Sequence, residues 1–149
     1  MTATENIDMA APRIPDYEML RVIGEGSYGE VWLARGITGV YRAIKIIRQN
    51  RFDSKRPYDR EFAGICAYEP VSQSHPGLLS ILHVGRCEEA GYFYYVMELA
   101  DSRESKGVIN PERYAPQTIR ADLTNKGAYS FEECLNAGSL LAAALQHLH

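Results

Sequence analysis

The chain has 149 residues, 46% of them hydrophobic, with a formal charge of -3 and three cysteines. Its length and apolar fraction suffice for a core of ordinary domain size, and the acidic balance argues against a general polyanion binder, whose footprint is a basic excess. Cys66, Cys87 and Cys134 are odd in number, far apart and without a C-x-x-C pair, so they suggest neither a zinc site nor a disulfide framework and fit a reduced, cytoplasmic setting.

Residues 1–16 read as a flexible N-terminal tail. Met1 to Ala11 is polar and acidic, without the apolar core of a secretory signal, and Pro12 and Pro15 break regular structure. Tyr17 to Ile23 (YEMLRVI) has the apolar and β-branched content of a strand. Next come Gly24, Gly26 and Gly29 at the spacing G-x-G-x-x-G. Glycines there let backbone N–H groups approach a polyanion with no Cβ in the way, and permit positive φ where the chain reverses. A phosphate-bearing ligand and a plain hairpin turn both remain open on this pattern alone. Glu30 to Arg35 (EVWLAR) alternates as a second strand. A dinucleotide-binding loop would lead into a helix instead, so that reading loses ground.

Gly36 to Val40 is a turn, and Tyr41 to Ile47 (YRAIKII) is a third strand. Period two puts Ala43, Lys45 and Ile47 on one face and Ile44 and Ile46 on the other. A lysine inside so apolar a strand needs an anionic partner or a route to water. The basic run from Arg42 to Arg60 reads as a solvated face and loop, so no nucleic acid partner is expected. Pro57 suits the first turn of a helix over Pro57 to Tyr68, with Glu61, Ile65 and Tyr68 on one stripe.

Pro70 ends that helix. Leu78 to Val84 and Tyr92 to Leu99 are two further strands joined by a hairpin loop. His75 and His83 stand without ligand-type neighbours and read as structural. Asp101 to Pro116 is polar, with Gly107, Pro111 and Pro116, and reads as an exposed loop. Gln117 to Lys126 is a short helix stopped at Gly127, and Ser130-x-x-Glu133 is a capping box opening a longer one. That last helix is apolar enough to be buried on most sides, yet nothing that follows in these residues covers it. No window reaches 18 consecutive apolar residues, so no membrane span is expected in this segment.

The succession GEGSYGEVW, Ala43-Ile44-Lys45, a helix carrying Glu61, then HPGLLSILHVG and YYVMEL resembles the N-terminal lobe of a protein kinase, with the flavour of bacterial Ser/Thr kinases of the eukaryotic type. The resemblance implies an α+β fold with a five-stranded antiparallel sheet plus one helix over residues 17–100. An inserted loop over 101–116 and the first helices of an α-helical C-terminal lobe over 117–149 would follow. It implies ATP as ligand, with Ile23, Gly24, Glu25, Gly26, Ser27, Tyr28 and Gly29 forming a lid over its phosphates. Val31 and Ala43 would sandwich the adenine, Met97 would stand at the back of the pocket, and the backbone of Glu98 and Ala100 would read the adenine edge. Lys45 would meet the α- and β-phosphates, held by an ion pair with Glu61. Asp101 or Glu104 would meet the ribose. The His-Arg-Asp and Asp-Phe-Gly motifs of the family do not occur in these residues. The resemblance therefore implies a Ser/Thr protein kinase of which this chain is an inactive piece, the ligands of its Mg²⁺ and its protein substrate lying outside it. The alternative is a non-catalytic pseudokinase or interaction module of the same fold.

Overall fold

Apolar residues alternate along 17–48, and two short reversals turn that pattern into three consecutive antiparallel strands. In the computed structural model, which describes residues 11–104 and 107–149, these are β1 (Tyr17–Gly26), β2 (Gly29–Gly36) and β3 (Tyr41–Arg48). Helix α1 (Lys55–Tyr68) follows, then β4 (Ile81–Cys87) and β5 (Tyr92–Met97). The hairpin of β4 and β5 joins through β5, giving the order β1-β2-β3-β5-β4 with every pair antiparallel. This is the expected five-stranded sheet with one helix after its third strand. Helices α2 (Ile119–Lys126) and α3 (Phe131–Leu148) complete the described chain.

The period of two divides the sheet into two apolar faces. Ile44, Ile46, Tyr92, Tyr94 and Val96 pack with Ala34 and Ile14 on one side. Ile47 and Phe93 pack with Tyr58 on the other, where α1 lies and adds Phe62 and Ile65. The stripe that α1 turns to the sheet is thus Tyr58, Phe62 and Ile65, at i, i+4 and i+7. Arg86 on β4 crosses to the helix, reaching Asp59 at 3.3 Å and standing 4.9 Å from the centre of the Phe62 ring.

Two segments expected to lack regular structure are tied down at particular residues. Residues 1–10 of the expected tail lie outside the described residues. The rest is held down: Ile14 is only 5% exposed within the sheet core, and the Tyr92 hydroxyl donates to the Arg13 carbonyl at 3.2 Å. An apolar side chain placed three residues before β1 finds buried surface more favourable than water. The loop expected to be exposed over 101–116 folds back on itself, with Ser102 paired to Pro116 and Tyr114 just 3% exposed. Helix α3 opens with the expected capping box, in which Ser130 and Glu133 serve each other's backbone N–H. Its C-terminal half meets the loop before β4, where Ser74 Oγ lies 2.8 Å from His147 Nε2, and Ala144 is its buried residue. Elsewhere its apolar side chains face outward, Phe131 being 84% exposed.

Candidate functional site

The strand register assembles the residues singled out in the sequence. Gly24 stands opposite Val31, Val31 opposite Lys45, and Lys45 opposite Tyr95, in one row across four strands. Two residues along, Leu33, Ala43 and Met97 form the next row on the same face. Directly opposed residues of an antiparallel pair share a face, so Val31, Ala43, Lys45 and Met97 lie together. Helix α1 covers the Ile47 and Phe93 end of that face. Glu98 and Ala100 follow β5 at the sheet margin, continuing from Met97.

The three glycines differ. Chain reversal occurs through Ser27 and Tyr28, and none of Gly24, Gly26 and Gly29 takes a positive φ, so the conformational reason expected for them does not apply. Gly29 is required by packing, because a Cβ there would lie 2.0 Å from the Ile46 carbonyl oxygen. Gly24 and Gly26 carry no such demand: the nearest atoms to a Cβ would be 3.8 and 4.0 Å away. Their lack of side chains therefore relieves no close contact among the described residues. Tyr28, at the tip, stacks on Phe52 with ring centres 5.0 Å apart, and Phe52 meets Tyr58 of α1 edge-on. Next to the loop, Glu30 is buried and bonds Arg48 at 2.7 Å, tying the start of β2 to the end of β3.

Lys45 is half-buried, with Nζ 5.9 Å from the centre of the Tyr95 ring. The ion pair with Glu61 is not among those of the described residues, which join Arg35 to Glu18, Arg48 to Glu30, Arg86 to Asp59 and Glu88, and Arg113 to Glu104. Helical geometry explains this. Phe62 and Ile65 occupy the inward stripe, and Glu61, a turn of 100° from Phe62, is exposed. Asp101 and Glu104 are exposed as well. They line a cavity of about 1040 Å³ between the β2–β3 turn with the start of β3 (Gly39, Val40, Tyr41) and residues 99–104, which Lys45 and Gly24 do not line. Among the described residues no group of three His, Cys, Asp or Glu converges as a metal site, and no helix is long and apolar enough to cross a membrane.

Sequence reasoning missed the residues that organise the margin beyond β5. Arg21 of β1 donates from Nε to the Pro111 carbonyl at 2.9 Å and from Nη2 to the Tyr114 carbonyl, and the Tyr114 hydroxyl donates to the Ala100 carbonyl at 2.9 Å. Burial, reinforced by Asp101, pushes the Tyr114 hydroxyl above the ordinary tyrosine value, with Arg21 acting in the other direction. A lone aromatic in a polar, Pro-rich stretch was the available signal.

No family model matches the chain. Among characterised proteins it is similar to serine/threonine-protein kinase PrkC of Bacillus subtilis, 32% identical over 137 residues, covering 89% of this chain and 18% of that protein. It is also similar to serine/threonine-protein kinase PLK4 of Aedes aegypti, 30% identical over 93 residues, covering 62% of this chain and 12% of that protein. The chain thus spans less than a fifth of the length of these relatives.

Proposed function

The chain belongs to the protein kinase family, and from that premise we propose that it is the ATP-binding portion of a Ser/Thr protein kinase. The observation that carries the reading is the shared face of the sheet: Gly24, Val31 and Lys45 in one row, Ala43 and Met97 in the next. Gly24 and Gly26 leave open backbone at one end of that row, where no internal packing asks for glycine. Lys45 stands two strands away on the same row, a cation within reach of the phosphates that such a backbone would cradle. Ala43 offers the flat, small surface on which a base can lie. ATP would supply a transferable phosphoryl group. This chain's residues would hold the base and phosphates and place charge beside them, since positioning and electrostatics dominate phosphoryl transfer.

Mg²⁺ and the protein substrate belong to the whole protein in this reading, as does transfer of phosphate to protein hydroxyls. Three free cysteines suit a reducing, ATP-containing compartment such as the cytoplasm. The unpaired arrangement of Lys45 and Glu61 favours the 149-residue chain being inactive by itself, because an unaimed lysine positions a phosphate poorly. The same observation is what a non-catalytic module of this fold would show.

A fluorescent ATP analogue titrated into the chain tests the proposal. Lys45→Met should weaken binding about tenfold, the worth of one charge-assisted hydrogen bond, while leaving thermal unfolding unchanged. Equal affinity in the two proteins would remove Lys45 from the site.

A further inference from the structure

Residues 110–117 are built as a strap. Asn110 caps a single turn, accepting from the Glu112 N–H through Oδ1 at 3.0 Å, while its carbonyl accepts from the Tyr114 N–H at 2.8 Å. Pro111 sits at the first position of that turn, where a missing N–H costs nothing. A turn of this kind ends with carbonyls that have no partner of their own. Arg21 supplies it, one guanidinium serving the carbonyls of Pro111 and Tyr114 together, a task suited to the forked donors of arginine and not to the point charge of lysine. The strap then returns beside the segment that leaves β5. The Arg103 N–H donates to the Ala115 carbonyl at 2.9 Å, the Gln117 N–H to the Asp101 carbonyl at 2.8 Å, and the buried Tyr114 reaches the Ala100 carbonyl.

These bonds join two places that the sheet alone leaves apart. Arg21 lies in β1, two residues before Ile23 and three before Gly24, whereas Ala100 follows β5. In the strand order, β2 and β3 stand between them. We propose that Arg21 and Tyr114 are positioning residues of the nucleotide site: through the strap they lock the backbone edge at Ala100 to the strand that carries the glycine loop. The inference rests on the ATP reading above. Its physical basis is pre-organisation, since a margin already held in place loses less freedom when a base docks on it. It also accounts for a tyrosine hydroxyl and an arginine fork committed to main-chain carbonyls at this one margin.

Amide hydrogen exchange and ATP-analogue titration of the 149-residue chain, unaltered and as Tyr114→Phe, Arg21→Lys and the double variant, test the proposal. Both single variants should speed exchange of the Arg103 and Gln117 amides about fivefold, the scale of one net hydrogen bond. The β3–β5 ladder amides should keep their rates, showing that the fold is intact. Each should weaken nucleotide binding by a similar factor, and the double variant should be no weaker than the poorer single one, because the two residues act through one strap. Unchanged exchange at Arg103 and Gln117 would overturn the strap itself. Faster exchange with unaltered affinity would overturn its role at the nucleotide. Absence of binding by the unaltered chain would instead sink the ATP reading, taking the nucleotide role with it, while the exchange rates alone still decide whether the strap holds the margin.

Discussion

At the scale of single residues, the glycine loop separates two demands that one motif had merged. Gly29 is fixed by the fold, because the Ile46 carbonyl occupies the space of a Cβ. Gly24 and Gly26 have open space and no positive φ, so neither packing nor backbone conformation among the described residues demands glycine there. Gly29→Ala is accordingly expected to cost about 3 kcal/mol by overpacking, seen as a lower midpoint in urea denaturation. Gly24→Ala and Gly26→Ala should leave that midpoint within about 0.5 kcal/mol and should instead weaken binding of an ATP analogue. A large stability loss at Gly26 would show that the loop's glycines serve packing throughout. Lys45 gives the complementary lesson. Its face of β3 was legible from alternation alone, whereas its row and its expected partner were not, because the row needs the strand register and i, i+4 spacing names several possible stripes. Glu61, Ile65 and Tyr68 satisfy that spacing, and so do Tyr58, Phe62 and Ile65; burying two aromatic rings decides for the second.

At the scale of elements, α3 shows how a helix can be well specified locally while most of its apolar side chains are left uncovered by the described residues. Its capping box is complete, and hydrogen bonds from Ser130 hold the Glu133 carboxyl below the ordinary value. A carboxylate depressed by folding contributes stability above its unfolded value, which is lost as pH falls through the lowered one. Helicity followed by circular dichroism should therefore decline as pH is taken below about 4, and Glu133→Gln should flatten that acid limb. A helix indifferent to acid would mean that the box contributes nothing to it. The segment after β5 shows the reverse case. Composition marks it as a loop, and its described residues form no helix or named strand, yet backbone pairing of 101–103 with 115–117 and the Arg21 fork give it tertiary order. Propensity does not report hydrogen bonds between residues about 90 apart in sequence, such as Arg21 and Pro111.

At the scale of the whole molecule, the sheet is dressed with tyrosines whose hydroxyls burial raises: Tyr58 of α1, Tyr92 and Tyr94 on the opposite face, and Tyr114 of the strap. A group raised by folding contributes stability that is whole below its unfolded value and is lost as pH climbs through the raised one. Thermal unfolding should thus hold steady up to about pH 9 and fall above about pH 10, with part of the tyrosinate absorbance appearing only alongside unfolding. Titration of all tyrosines in the ordinary range with no loss of stability would refute that burial. By itself, the sequence determined the five strands, the antiparallel order of the first three, the helix placed after them, and the face of β3 that Lys45 shares with Ala43 and Ile47, because periodicity and turn chemistry are local. Only the tertiary structure decided which side of α1 faces the sheet, that Ile14 and Tyr114 are buried, and that Arg21 clasps the margin after β5. Those outcomes depend on competition for a shared apolar surface and on partners far apart in the chain, and neither leaves a periodic trace.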